Sequence, residues 1–453
     1  MTPRVVVVAG TGSGVGKTTV TLGLLAAYRR RGLAVQAFKA GPDFIDPGLH
    51  EVVTGRPSHA LDGWMCSRET VLAMVDRHAA GADLAIVEGV MGGFDGADPT
   101  GDEGSTAQLA KWLEAPVVLV IDAGGQSRSA AAVVAGFERF DPGLVVAGVV
   151  ANRVGGEGHG RMVGEAVSTS CRAVFVGAIV NDPALTLPER HLGLVTAAEG
   201  AITDELRDRL GDAVERSLDL DRLLALATPR APAAPPAAPR PGAARVRIGV
   251  ARDVAFQFYY AENLARLRTA GAELVPWSPL RDDVPDVDGL YFGGGYPELH
   301  AGRLADNGSA LKTVRRLAER GMPIYAECGG LMYLAEALEG GDGIAHPMVG
   351  LLPTTVRMRP RRMTLGYREV RFVADTPLGR AGTVARGHEF HYSSMDPVPA
   401  SVPRVWRLTS RDGEECREGY LVGRTLLTYA HLHFASAPGL APSLVEACAD
   451  ARR

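Results

Sequence analysis

Two α/β domains in series, each with a largely parallel sheet flanked by helices, are the fold class the sequence predicts. Three observations carry this expectation. Short apolar, β-rich runs alternate with helical stretches through the first half. A segment made almost wholly of Pro and Ala interrupts the middle. The alternation then restarts before giving way to a run of strands. Several runs are apolar throughout, which suits strands covered by helices on both faces. Regular strand–helix alternation points to a doubly wound parallel sheet.

The elements follow in order. In the first half, "RVVVVAG", "LAVQAFKA", "ADLAIVEGV", "APVVLVIDA", "LVVAGVVANRV" and "AVFVGAIV" read as strands. Residues 229–244, "PRAPAAPPAAPRPGAA", cannot build a core and read as a semi-rigid linker. They separate domain 1–228 from domain 245–453. The second domain opens with "ARVRIGVARD", "DGLYFGGGY" and "MPIYAECGG". It continues with "LGYREVRFV", "TVARGHEFHYS", "PRVWRLTS" and "TLLTYAHLHF", an added antiparallel portion. At 453 residues the chain exceeds one ordinary domain, and no internal repeat is visible.

Composition narrows the function classes. Hydrophobic residues make up 46% and charged residues 22%, as in globular chains. A net charge of -4 leaves no basic footprint for nucleic acid. No apolar run approaches the roughly 18 residues that span a bilayer. The apolar stretch 5–9 is too short for a signal peptide and runs straight into a glycine loop. Five scattered cysteines make a disulfide framework a poor fit, so a cytoplasmic location is expected.

"GTGSGVGKTT", residues 10–19, lies between an apolar strand and an amphipathic stretch carrying Val20, Leu24, Ala27 and Tyr28 on one face. The usual phosphate loop has its first Gly six residues before the Lys. Here that position is Thr11, and the Gly falls one earlier, at Gly10. The physics survives the longer loop. Gly12, Gly14 and Gly16 let backbone N–H groups, with those of Val15 and Thr19, turn onto phosphate oxygens at a helix N-terminus. Lys17 would reach the outer phosphates and Thr18 would ligate Mg²⁺ of bound ATP. Mg²⁺ takes hard oxygen ligands, commonly carboxylates beside the phosphates. "KAGPDFIDP" supplies Asp43 and Asp46; "IVEGVMGGFDG" supplies Glu88 and Asp95, all expected at the strand carboxyl ends where ligands bind. Asn152, after the strand "VVANRV", is expected to read the base.

A second chemistry follows about 310 residues later. Cys328 stands between the strand "MPIYAE" and the helix "GGLMYLAEAL". A nucleophile on such a turn is exposed at a helix N-terminus, which lowers a thiol pKa. Gly329 removes crowding, and Gly294 and Gly295 in "YFGGGYPE" offer N–H groups for an oxyanion hole. A thiolate needs a base. "TYAHLHF" offers His431 and His433 on one face of a strand.

These motifs in this order, with "ARGHEFHYS" and "YAHLHFAS", resemble the cobyrinic/hydrogenobyrinic acid a,c-diamide synthases of cobalamin biosynthesis along nearly the whole chain. The first domain is similar to the dethiobiotin synthetase type of nucleotide-binding domain. The second resembles a class I glutamine amidotransferase. The resemblance implies a glutamine-hydrolysing carbon–nitrogen ligase. Cys328 would be its nucleophile and His431 its base. Lys17 and Thr18 would meet phosphate and Mg²⁺, Asp43 and Glu88 would bind metal, and Asp46 and Asp95 would handle substrate or acyl phosphate. In the wider amidotransferase class a Glu follows the base by two residues. Here that position is His433, so orientation of the base by a carboxylate is not expected. The stretch His388, Glu389, His391 has no role the sequence assigns. Implied partners are ATP, L-glutamine and a tetrapyrrole polycarboxylate, held through Arg and Lys side chains the sequence does not single out; a homodimer is compatible. Between cobalt-free hydrogenobyrinic and cobalt-bearing cobyrinic acid the reading leans to the former. Amidation of a nickel sirohydrochlorin and cobyric acid synthase activity stay open. So does a partitioning-type ATPase with a degenerate amidotransferase module, although the second loop Lys of those ATPases is replaced by Gly12 and Cys328 is intact.

Overall fold

The computed structural model describes residues 2–190, 193–231, 244–359 and 363–452. The chain forms two compact units, Met1–Ala237 and Ala238–Arg453. Most of the Pro/Ala-rich segment, 232–243, lies outside the described residues.

The first unit is built on a sheet whose parallel strands run, edge to edge, His59–Leu61, Val35–Ala40, Leu84–Glu88, Arg4–Gly10, Val117–Asp122, Val146–Val154 and Val174–Val180. Val5 to Val8 and Leu84 to Val87 are at most 1% exposed, the price of central position being an almost wholly aliphatic sequence. The helix Lys17–Arg30 follows the first strand at once. Val20, Leu24, Ala27 and Tyr28 are all buried, and the Tyr28 hydroxyl donates to the Leu220 carbonyl at 2.8 Å. Arg29 and Arg30 close the helix at its negative end.

The linker starts later than its composition suggests. Thr228–Pro229 pairs antiparallel with the start of the first strand, Arg4 opposite Pro229. Arg230 then forms a half-buried ion pair with Asp76 at 2.9 Å. Backbone pairing with Pro3, Arg4 and Val5 and the Arg230 side chain thus hold residues 228–230 to the first unit.

The second unit carries a ten-stranded sheet. Its parallel part runs Ala272–Trp277, Val246–Ala251, Gly289–Phe292, Ile324–Glu327 and Thr425–Thr428. Antiparallel strands Glu415–Val422, Arg404–Ser410, Thr364–Phe372, Val384–His391 and His431–Leu432 continue it. A smaller four-stranded sheet contains Ala335–Glu339 and Leu352–Met358. The stretch "TLLTYAHLHF", expected as one strand, is broken. Its first strand ends at Thr428, whose hydroxyl accepts the Ala430 N–H at 2.9 Å. The chain then resumes as His431–Leu432 and turns into a short 3-10 helix over Phe434–Ser436. His431 and His433 therefore do not share one strand face.

Candidate active sites

In the first unit the phosphate loop leaves the strand Arg4–Gly10 and enters its helix at Lys17. Gly16 caps the helix at φ 93°, and a Cβ there would overlap the Asn152 amide. At Gly10 a Cβ would fall 2.7 Å from Val15 Cγ2 and 2.9 Å from Lys17 Cδ. Both positions need glycine, so the displaced first Gly is a steric requirement of the longer loop. The Val15 side chain belongs to the core, and its carbonyl accepts from Asn152 Nδ2 at 2.9 Å. Lys17 is 7% exposed, and its ammonium donates to the carbonyls of Gly12 (2.9 Å) and Met91 (2.6 Å). Burial, then the neighbouring Lys39 charge, lowers its pKa.

The carboxylates are sorted differently from expectation. The Thr18 hydroxyl donates to Glu88 Oε1 at 2.6 Å and lies 3.4 Å from Asp46 Oδ2. Asp46 thus stands with Thr18 and Glu88 rather than apart from them. Asp43, expected as a metal ligand, spends Oδ1 on the Ile45 and Asp46 N–H groups and caps the following helix. Asp95 accepts from the Gly92 N–H at 2.7 Å and shapes the glycine loop after Glu88.

Two residues that sequence reading missed complete the cluster. The buried Lys39 ammonium lies 2.6 Å from Asp46 Oδ2 and 2.9 Å from Glu88 Oε1. The His50 ring meets Glu88 Oε2 at 2.7 Å and the Ser58 hydroxyl at 3.1 Å. Burial opposes the Glu88 charge, but Lys39, His50 and Thr18 outweigh it and hold the carboxyl below the usual range. Burial pushes the Asp46 carboxyl up, with Asp43 and Glu88 adding to the rise against Lys39. Burial also works against the Lys39 charge, but Asp46 and Glu88 overcome it and keep the ammonium protonated. A charge inside the apolar strand "VQAFKA" had to be paired, and that was the signal available in the sequence. Beside the loop a cavity of about 340 Å³ is lined by Gly14, Lys17, Thr18, Asn152, Asn181 and Leu187. Thr19 and Arg153 also face it.

In the second unit Cys328 follows the buried strand Ile324–Glu327 and precedes the helix Gly329–Leu334. Its φ is 47°, a left-handed value for a residue with a Cβ. Such strain costs on the order of 1–3 kcal/mol and persists only where surroundings enforce it. The Cys328 N–H donates to Thr428 O at 2.7 Å, and the Gly330 N–H to Gly293 O at 2.9 Å, which hold the turn. Of the expected oxyanion donors, Gly294 is ruled out because its N–H is taken by Phe258 O at 3.2 Å. A Cβ on Gly294 would fall 2.6 Å from His431 Cε1, so that glycine makes room for the base. The Gly295 and Gly329 N–H groups have no acceptor among the described residues. They are neighbours: a Cβ on Gly329 would lie 3.1 Å from Gly295 N.

His431 is 2% exposed, and its pKa is raised to about 10. Burial alone would lower it; the hydrogen bond and charge of Cys328, then Glu327, overcome burial. A carboxylate that the sequence reading did not single out is near: Glu327 Oε2 lies 3.9 Å from His431 Nδ1. His433 caps the 3-10 turn, its Nδ1 accepting from the Ala435 N–H at 3.3 Å, and its ring lies 4.7 Å from that of Tyr260. The unassigned stretch of the sequence lines the same region. His388 stacks on His431 at 5.2 Å and bonds the Tyr260 hydroxyl at 2.8 Å. Glu389 pairs with Arg368 at 2.7 Å, and His391 stacks on Tyr429 at 4.0 Å.

Each unit matches a family model. Residues 6–195 match the CobQ/CobB/MinD/ParA nucleotide binding domain, and residues 247–439 the CobB/CobQ-like glutamine amidotransferase domain. The chain is 49% identical to a cobyrinate a,c-diamide synthase of Syntrophotalea carbinolica, with 98% of each chain covered. It is 42% identical to that of Priestia megaterium, covering 100% of this chain and 99% of the relative. A hydrogenobyrinate a,c-diamide synthase of Mesorhizobium japonicum is 48% identical over 95% of this chain and 98% of its own. A nucleotide loop and a thiol elbow on one chain, matched end to end at this identity, mean that the chain belongs to the a,c-diamide synthase family.

Proposed function

We propose that this chain amidates the a and c acetate carboxylates of cobyrinic or hydrogenobyrinic acid, using ATP and the amide nitrogen of glutamine. The observation that carries the reading is the strained Cys328 elbow with His431 beside it, on a chain that also folds Lys17 into a glycine loop and holds Thr18 against Glu88. A thiol nucleophile alone would make a glutaminase, and a phosphate loop alone a nucleotidase. Together they supply ammonia and an activated carboxylate.

The thiol step runs as follows. Cys328 gives its proton to His431, and the thiolate attacks the glutamine carboxamide carbon. The Gly295 and Gly329 N–H groups face the oxyanion. His431 returns the proton to the departing nitrogen, ammonia leaves, and water hydrolyses the thioester to glutamate. In the first unit the substrate carboxylate attacks the terminal phosphate of ATP, ADP leaves, and ammonia displaces phosphate from the acyl phosphate. Lys17 and the loop N–H groups neutralise the charge that develops. Thr18, Glu88 and Asp46 offer the hard oxygen atoms that Mg²⁺ takes, and the Lys39 ammonium lies against both carboxylates. Bound there, Mg²⁺ would shield phosphate charge. The five free cysteines support a cytoplasmic enzyme, and among the described residues no helix is long and apolar enough to cross a membrane.

The test is incubation of the purified chain with each corrinoid acid, ATP, Mg²⁺ and glutamine, with products resolved by mass. A diamide from either acid, formed with stoichiometric ADP, is expected. Nickel sirohydrochlorin amidated in preference to both acids would overturn the substrate assignment.

A further inference from the structure

We propose that Glu327, the residue before the nucleophile, is the positioning carboxylate of the glutaminase site, in place of the acid expected two residues after the base. The inference rests on the glutaminase reading above. Glu327 ends a strand buried on both faces and is itself 2% exposed. Its Oε1 accepts from the Tyr325 hydroxyl at 2.6 Å and the Leu432 N–H at 3.1 Å; its Oε2 accepts from the Tyr291 hydroxyl at 2.8 Å. Three neutral donors from three different strands fix both oxygens, so the carboxylate cannot turn away. A buried carboxylate held only by neutral donors still calls for a countercharge. Oε2 lies 3.9 Å from His431 Nδ1, an ion-pair separation that can tighten when substrate binds.

The arrangement divides the imidazole between two partners. Nδ1 faces Glu327, which leaves Nε2 for the Cys328 thiol. The raised pKa of His431 has Cys328 and then Glu327 as its favourable causes. Glu327 and Cys328 are adjacent in sequence, and the backbone turns sharply between them at the positive φ of Cys328. His433 is not placed to do this, because the chain has already entered the 3-10 turn that its own Nδ1 caps. Glu327 takes no proton in the reaction. It keeps Nδ1 protonated and favours the imidazolium that forms when Cys328 ionises.

The experiment uses the full chain and three variants: Glu327→Gln, Glu327→Asp and His433→Ala. Glutaminase kcat and KM are followed against pH with ATP and corrinoid acid present. Near-UV circular dichroism checks packing. Gln keeps the shape and removes the charge. The expected result is a kcat lower by about 10²-fold, a KM within about twofold, and a basic limb displaced to lower pH, since the imidazolium loses its neighbour. His433→Ala should leave that limb in place. A purely structural role for Glu327 would lower the rate without moving the limb. Glu327→Gln with unchanged kcat and limb, or His433→Ala moving the limb instead, would overturn the proposal. Should Gln not fold, Asp decides: its retracted carboxylate should slow the reaction and shift the limb part of the way, and an unchanged profile would contradict the proposal. If the unaltered chain released no ammonia from glutamine, the glutaminase reading would fail rather than the role of Glu327.

Discussion

At the scale of single residues, two buried basic side chains stand out. Lys17 is folded into its loop, where it replaces water by the carbonyls of Gly12 and Met91. Phosphate oxygens would compete for those bonds with a full negative charge, which strengthens each contact. Lys17→Ala should therefore lower amidation by about 10²-fold or more, while hydrolysis of glutamine at Cys328 persists. Coupled ADP and glutamate assays on the same sample check it, and simultaneous loss of both would contradict it. His431 is the second. Its pKa rises from 6.5 to about 10 in the folded chain, so the folded form holds the proton more tightly. The resulting stabilisation is complete below pH 6.5 and disappears as pH climbs through about 10. The melting temperature of the chain should exceed that of His431→Ala by a margin that shrinks across that window. Glu327 was hard to foresee for a physical reason: in the string "IYAEC" nothing distinguishes a solvated strand-end carboxylate from one locked by two phenols. Those phenols, Tyr291 and Tyr325, come from two separate strands.

At the scale of elements, both sites use one device: a buried parallel strand ends, the chain turns tightly, and a helix begins. Arg4–Gly10 leads to the helix at Lys17, and Ile324–Glu327 leads to the helix at Gly329. These units were legible because an apolar strand followed by Gly-rich turn and helix is local information. Positive-φ residues with a Cβ stand near both sites: Met91 (φ 47°) accepts from Lys17, Arg153 (φ 61°) lines the cavity beside the loop, and Cys328 (φ 47°) sits at the second turn. Gly295 shows what close approach demands. It sits at φ 154°, and a Cβ would overlap the Ala255 carbonyl. Gly295→Ala should destabilise the second unit by about 1–3 kcal/mol and depress glutaminase activity more than ammonia-dependent amidation. Denaturant titration with both assays reads this, and wild-type stability would contradict it. The break after Thr428 was not legible. It depends on the Thr428 hydroxyl and on Glu418, which accepts that hydroxyl at 2.7 Å and the Tyr429 N–H at 2.7 Å. The apolar pattern "TLLTYAHLHF" carries no trace of that interruption.

At the scale of the whole molecule, the account is a division of labour between two compact units. The order of motifs along the chain foretold the division, because each domain's chemistry is gathered at the ends of its own strands. The Thr18–Glu88 cluster was only half legible. The Thr18–Glu88 contact joins two residues the sequence singled out, whereas Asp43 Oδ1 bonds the Ile45 and Asp46 N–H groups and Asp46 lies beside Thr18, an arrangement no local pattern shows. Lys39 and His50 come from the neighbouring strand and its following helix, contacts that no local pattern announces. If the units divide the work, ammonia is the only thing the first needs from the second. The most direct measurement is amidation of the corrinoid acid by Cys328→Ala, with glutamine and then with a high concentration of ammonium. The account predicts no amide from glutamine and sustained diamide formation from ammonium. Equal loss with both nitrogen donors would contradict it.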